Sequence, residues 1–161
     1  MLRTLSFATA VLIGAAQPAS SAGNDANAEV ASARALLVGY LEDFANGSYA
    51  KVIRYVSDNS WATLKMWNPP IAESDSLSLL EAGCNGNGLQ CLHVRTVEHC
   101  EQVGEGECRI SVTFFDRNGT LFVRGPCCGS TIEEDPPDSV FTYTVQTSNG
   151  RTQLDLPPYV P

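Results

Sequence analysis

The sequence predicts an α+β domain in which N-terminal helices pack on a curved antiparallel β-sheet. Three observations predict it. Over 24–45 apolar residues recur at three and four, the period of a helix. From Leu89 onward the period becomes two, that of half-buried strands. Two alternating runs each end in Asn-Gly, at Asn118-Gly119 and Asn149-Gly150. Asn-Gly is a strong hairpin signal, because a type I′ turn needs positive φ at both central residues. Helices first and strands afterwards is the order of segregated layers.

The chain opens with Arg3, an apolar run over Leu5 to Ala16, then Pro18 and Ser20-Ser21-Ala22. This pattern predicts a signal peptide over 1–22, cleaved after Ala22, and a single domain over 23–161. The run falls short of the roughly 20 residues of a spanning helix, and no later stretch is apolar enough to span a membrane. An exported product, secreted or periplasmic, is the expectation.

Asn24 to Ala45 reads as a helix with Val30, Ala33, Leu37, Tyr40, Leu41 and Phe44 as its apolar stripe, stopped at Asn46-Gly47. Ser48 is placed to cap a second helix that buries Tyr49, Val52, Ile53 and Val56 and ends near Ser57-Asp58-Asn59. Trp61, Leu64 and Trp67 suit a short third helix capped by Ser60, with a strand as the alternative; Pro69-Pro70 ends it. Asp75 to Ala82 predicts one or two further helical turns before Gly83.

Leu89 to Gln102 and Glu107 to Phe115 read as strands. Centring a turn on Asn118-Gly119 pairs Phe115 with Phe122 and puts Leu121 and Val123 on the face of Ile110, Val112 and Phe114. Gly125 to Ser139 is an acidic, proline-bearing loop. Centring the second turn on Asn149-Gly150 pairs Val145 with Leu154 and Tyr143 with Leu156, so that Phe141 joins them on one apolar face.

The 161 residues carry a net charge of −8. An acidic surface argues against nucleic acid and anionic membranes, which select basic patches. The six cysteines, Cys84, Cys91, Cys100, Cys108, Cys127 and Cys128, are an even set in a chain read as exported, which predicts disulfides. A hairpin closed over 101–107 sets Cys100 opposite Cys108. Cys84 and Cys91 bracket a glycine-rich loop, which leaves Cys127 and Cys128 as a vicinal pair; an exchange between these two sets is the alternative. No two cysteines have CxxC spacing, so no metal is implied, and no cofactor motif is present.

The segment ALLVGYLEDFANGSYAKVIRYVSD, Ala35 to Asp58, resembles the opening helix pair of the NTF2-like (cystatin-like α+β barrel) superfamily. FTYTVQTSNGRTQLDL, Phe141 to Leu156, is similar to its closing hairpin. The resemblance implies a cone, with helices closing one mouth of a bent sheet around a pocket. Six cysteines and the 125–139 loop depart from the usual pattern. The superfamily includes isomerases, dehydratases, ligand carriers and assembly modules, so the fold leaves function open.

An enzyme of this shape needs a carboxylate and a phenol in the cone; Tyr40, Asp43 and Tyr143 are the candidates, against a reading in which the tyrosines are core and Asp43 is solvated. His93 and His99 share a strand face about 20 Å apart, too far for one metal, and sit with Arg95 and Glu101 on a solvated surface. Phe115 and Phe122 on the outer face suggest an interface, a homodimer among the options. The leading expectation is a non-catalytic exported module that binds a small apolar ligand or a protein partner. The alternatives are a lyase- or isomerase-type enzyme and an acidic inhibitor or immunity-type protein acting through Glu133-Glu134-Asp135.

Overall fold

A computed structural model describes residues 22–67, 77–78, 80–81, 91–126 and 129–155. The signal-peptide segment over 1–21 lies outside them, as do Leu156, Cys84, Cys127 and Cys128. Helix α1 spans Ala22–Ala45 and buries Ala33, Leu37, Tyr40, Leu41 and Phe44, the stripe that the three–four spacing marks. It closes at Asn46-Gly47 as the sequence predicts. Ser48 N–H donates to Asp43 O and Gly47 N–H to Phe44 O, the paired bonds of a Schellman motif.

The second helix is shorter than its stripe suggests. Helix α2 covers Tyr49–Val52 and passes into a 3₁₀ turn over Ile53–Tyr55. Ser48 precedes it without a side-chain capping bond. Helix α3, Asp58–Trp67, resolves the helix-or-strand alternative in favour of the helix. Its cap is Ser57 rather than Ser60, because the Ser57 Oγ accepts the Ser60 N–H at 3.2 Å. Ser60, one turn later, is buried and donates to Asp155 Oδ1 at 3.2 Å, tying α3 to the last strand. Residues 77, 78, 80 and 81 are helical, and Leu80 is buried.

Four antiparallel strands, β1 (Val94–Gly104), β2 (Glu107–Phe115), β3 (Phe141–Ser148) and β4 (Arg151–Asp155), form a sheet in the order β1-β2-β3-β4. Cys108, Ile110, Val112, Phe114, Phe141, Tyr143, Val145 and Leu154 are buried, so one face of the sheet makes the core with α1. At the β4 edge Val56 adds a parallel bridge to Leu154, and Ser57 N–H donates to Leu154 O.

The two Asn-Gly turns differ. Asn149 and Gly150 both have positive φ, 52° and 73°, so the β3–β4 hairpin takes the tight turn and pairs Val145 with Leu154 as predicted. At the other turn only Gly119 has positive φ, at 79°. There the Asp116 carboxylate accepts the N–H groups of Asn118 and Thr120, each at 2.8 Å, and Asp116 N–H donates to Thr120 O. This wider loop bridges Phe115 to Leu121 rather than to Phe122. A one-residue slip exchanges the faces. Phe122 therefore turns to the core, its ring 5.9 Å from that of Phe141, while Leu121 and Val123 are exposed.

β1 starts at Val94, later than the alternation suggests, and it is bulged. Val97 opposes Val112, but Cys100 opposes Ile110, so an extra residue is accommodated between them. Arg34 of α1 covers this irregular edge, donating from Nη2 to Val97 O at 3.1 Å and from Nε to Glu98 O at 3.3 Å. That shift sets Gln102 opposite Cys108, and a second one follows between Gln102 and Gly104, which opposes Glu107. The Cys100–Cys108 disulfide forms, as expected, across a Cα–Cα distance of 5.6 Å, but it joins staggered positions rather than a directly opposed pair.

Candidate functional site

The centre of the domain is filled by side chains. Leu37, Phe44, Val52, Phe141 and Val145 are at most 2 % exposed. The Tyr40 ring meets the rings of Phe44 and Tyr143 edge-on at 5.7 and 6.3 Å. Phe114 and Phe141 meet in the same way at 5.8 Å. Aromatic close packing here takes the space in which the cone expectation sets a pocket.

Concavity lies instead on the flank, between α1 and the edge strand β1. An open groove of about 340 Å³ is lined by Arg34, Val38, Glu42, His93, Arg95 and Val97. Arg34, Val38 and Glu42 are four apart and form one stripe of α1. Arg95 opposes the buried Phe114, and Val97 opposes the buried Val112, so both lie on the inner face of the sheet. The groove is thus the margin of the core, opened where β1 has Arg95 in place of the apolar residues of β2 and β3.

Arg95 anchors this margin. Its side chain is 10 % exposed, and Nη1 donates to the carbonyls of Leu92 and His93 at 3.4 and 3.3 Å. Nη2 stands 4.0 Å from Glu42 Oε1, an ion pair longer than a hydrogen bond. Burial lowers the Arg95 pKa, while Glu42 and Tyr143 act in the opposite sense. The guanidinium remains charged at neutral pH, as arginine does in proteins.

The candidate acid and phenols are not brought together as a pair in a pocket. Tyr40 and Tyr143 are buried, and burial pushes the Tyr40 hydroxyl far above its ordinary value. Asp43 is held on the other flank of α1. Its Oδ2 accepts the Tyr55 hydroxyl at 2.9 Å, and its Oδ1 accepts from Lys51 Nζ at 3.2 Å. The Tyr55 bond chiefly, and Lys51 after it, hold the Asp43 carboxyl below the usual carboxylate range. Burial and Asp43 raise the Tyr55 hydroxyl. Sequence reasoning missed Tyr55, whose one signal is Gly39: a Cβ there would lie 3.0 Å from the Tyr55 hydroxyl.

The histidines part company. The bulge between Val97 and Cys100 shifts the alternation, so that Cys100 rather than Glu101 follows Arg95 and Val97 on the inner face. His93 is exposed and lines the groove; His99 is exposed at the bulge. Phe115 and Phe122 do not pair; each is half-buried, and Phe122 packs on the core. In the acidic loop Asp135 Oδ1 and Asp138 Oδ2 both accept from Arg124 Nη2 at 3.1 Å, and Glu134 Oε2 accepts the Thr131 N–H at 3.0 Å. Two of the three charges in Glu133-Glu134-Asp135 are therefore engaged within the loop.

Cys91 is disulfide-bonded. No group of three potential metal ligands occurs among the described residues, and no described helix is long and apolar enough to cross a membrane. No family model matches the chain, and neither does any curated protein or solved structure.

Proposed function

We propose that the chain is an exported, non-catalytic binding module of the NTF2-like type, which holds its ligand in the groove between α1 and β1. The observation that carries this reading is the contrast between a close-packed aromatic centre and the open, polar groove beside it. A ligand site needs concavity with a few convergent polar groups. Arg34, Glu42, His93 and Arg95 supply the groups, and Val38 and Val97 supply apolar wall. Export is supported by the apolar leader and by the Cys100–Cys108 bridge, which suits an oxidising compartment. An enzyme reading gains less support, since Asp43 is committed to Tyr55 and Lys51 away from the groove.

The test is a nuclear magnetic resonance screen of the oxidised protein against a library of small anions, cations and neutral molecules. Binders should shift the amide signals of Val38, His93 and Val97. Binders whose shifts map to the outer face of the sheet would overturn the assignment of the groove. Export is tested by expressing residues 1–161 in a secreting host. A product beginning at Gly23 supports the reading, and retention of uncleaved chain in the cytoplasm removes it.

A further inference from the structure

Three charged side chains line the groove, and their balance is unusual for this chain. Arg34 and Arg95 bring two guanidiniums, Glu42 brings one carboxylate, and the whole protein has a net charge of −8. Arg34 spends part of its fork on the β1 carbonyls of Val97 and Glu98, and Arg95 part of its own on Leu92 and His93 just before the strand. That use fixes the two side chains in place and leaves donors over: among the described residues, Arg34 Nη1 and Arg95 Nε make no hydrogen bond. Held guanidiniums lose less rotamer freedom on binding than free ones, and carboxylates match the geometry of the fork. Val38 and Val97 stand in the same groove and offer apolar contact.

We propose that the groove binds a small monocarboxylate with a short aliphatic body, its carboxylate between Arg34 and Arg95 and its chain along Val38 and Val97. The inference rests on the reading of the groove as the ligand site and adds the ligand's chemistry. One net positive charge matches one negative charge, and Glu42 repels a second. The valines give nothing to an inorganic oxyanion. The volume of about 340 Å³ stands at the small end of ligand sites and accommodates a ligand of this size.

The experiment titrates the full oxidised chain with butyrate, followed by amide shifts, with inorganic phosphate, n-butylamine and n-butanol as parallel probes. Butyrate should give saturable shifts at His93 and Val97. Two substitutions at exposed α1 positions test the charges without cutting into the core. Arg34→Gln should weaken butyrate about two- to fivefold, and Glu42→Gln should tighten it by a similar factor, as expected of single screened charges. Opposite signs from two neighbouring positions are not what general damage to the helix would give. Phosphate binding as tightly as butyrate would overturn the aliphatic part of the proposal. Butylamine or butanol binding in the groove in preference to butyrate would overturn the anion while leaving the groove as the ligand site. Equal butyrate affinity in wild type, Arg34→Gln and Glu42→Gln, or no shift with butyrate at all, would also overturn it; the library screen above then decides separately whether the groove binds anything.

Discussion

Asp43 stands three residues after Tyr40, and helical spacing makes them neighbours, yet their environments are opposite. Tyr40 is sealed in the core, while Asp43 takes bonds from Tyr55 and Lys51. The sequence shows the i,i+3 relation but not where the chain returns after Gly47, so the true phenol partner, twelve residues on, was not legible. Its consequence is measurable. The Asp43 carboxyl is depressed in the folded state, first by the Tyr55 bond and then by Lys51. A group with a depressed folded pKa contributes stability above its ordinary value, here 3.8, and loses it as pH falls through the folded value. Asp43→Asn should therefore be less stable than wild type to urea near about pH 6, and the gap should narrow at about pH 3 and below, as the wild-type carboxyl takes up its proton. A gap of equal size at both pH values would mean that the charge on Asp43 contributes nothing.

At the scale of elements, the fold was legible wherever the period was long and the pattern had one solution. α1, with its stripe, and the β3–β4 hairpin, with its register, read directly from spacing. The loop after β2 did not, because its apolar pattern fits two registers. One buries Leu121 and Val123, the other buries Phe122. Asp116 decides between them by accepting two backbone N–H groups, a local competition that the Asn-Gly signal overshadows. The structure's register makes a specific demand. Phe122→Ala removes a half-buried ring from Phe141 and should cost about 2 kcal/mol, below the usual cost of a fully buried phenylalanine. Leu121→Ala, at a position 42 % exposed, should change stability by about 0.5 kcal/mol or less. Chemical denaturation of the two variants measures both. The tight-turn register requires the reverse order, so a larger loss at Leu121 would refute the pairing described here.

For the whole molecule, helices on one face of a meander followed from the order of periods, and the filled centre did not. Among the described residues nine aromatic side chains, those of Tyr40, Phe44, Tyr49, Tyr55, Trp61, Phe114, Phe122, Phe141 and Tyr143, pack within or against one core, and only three-dimensional adjacency shows that they exclude a central pocket. The open groove depends in turn on how β1 is held. As an edge strand β1 has one ladder, to β2; beyond it, Arg34 and the Cys100–Cys108 bridge tie it down. β4 is supported differently, by β3, by Val56–Ser57 and by Ser60. The bridge closes a separation of eight residues, and loop-closure entropy for so short a loop is worth about 2.5 kcal/mol. Cys100→Ser with Cys108→Ser should lower global stability by about that amount. More tellingly, hydrogen exchange should accelerate first in β1, while β3 and β4 keep most of their protection, because edge elements open by sub-global unfolding at lower cost than the core. Under the proposed function, ligand capture by the groove should fall in step with β1, since Arg95 and Val97 belong to that strand. Uniform loss of protection across all four strands would show that β1 is integral to the global unit, and that the groove's rim and its core rise and fall together.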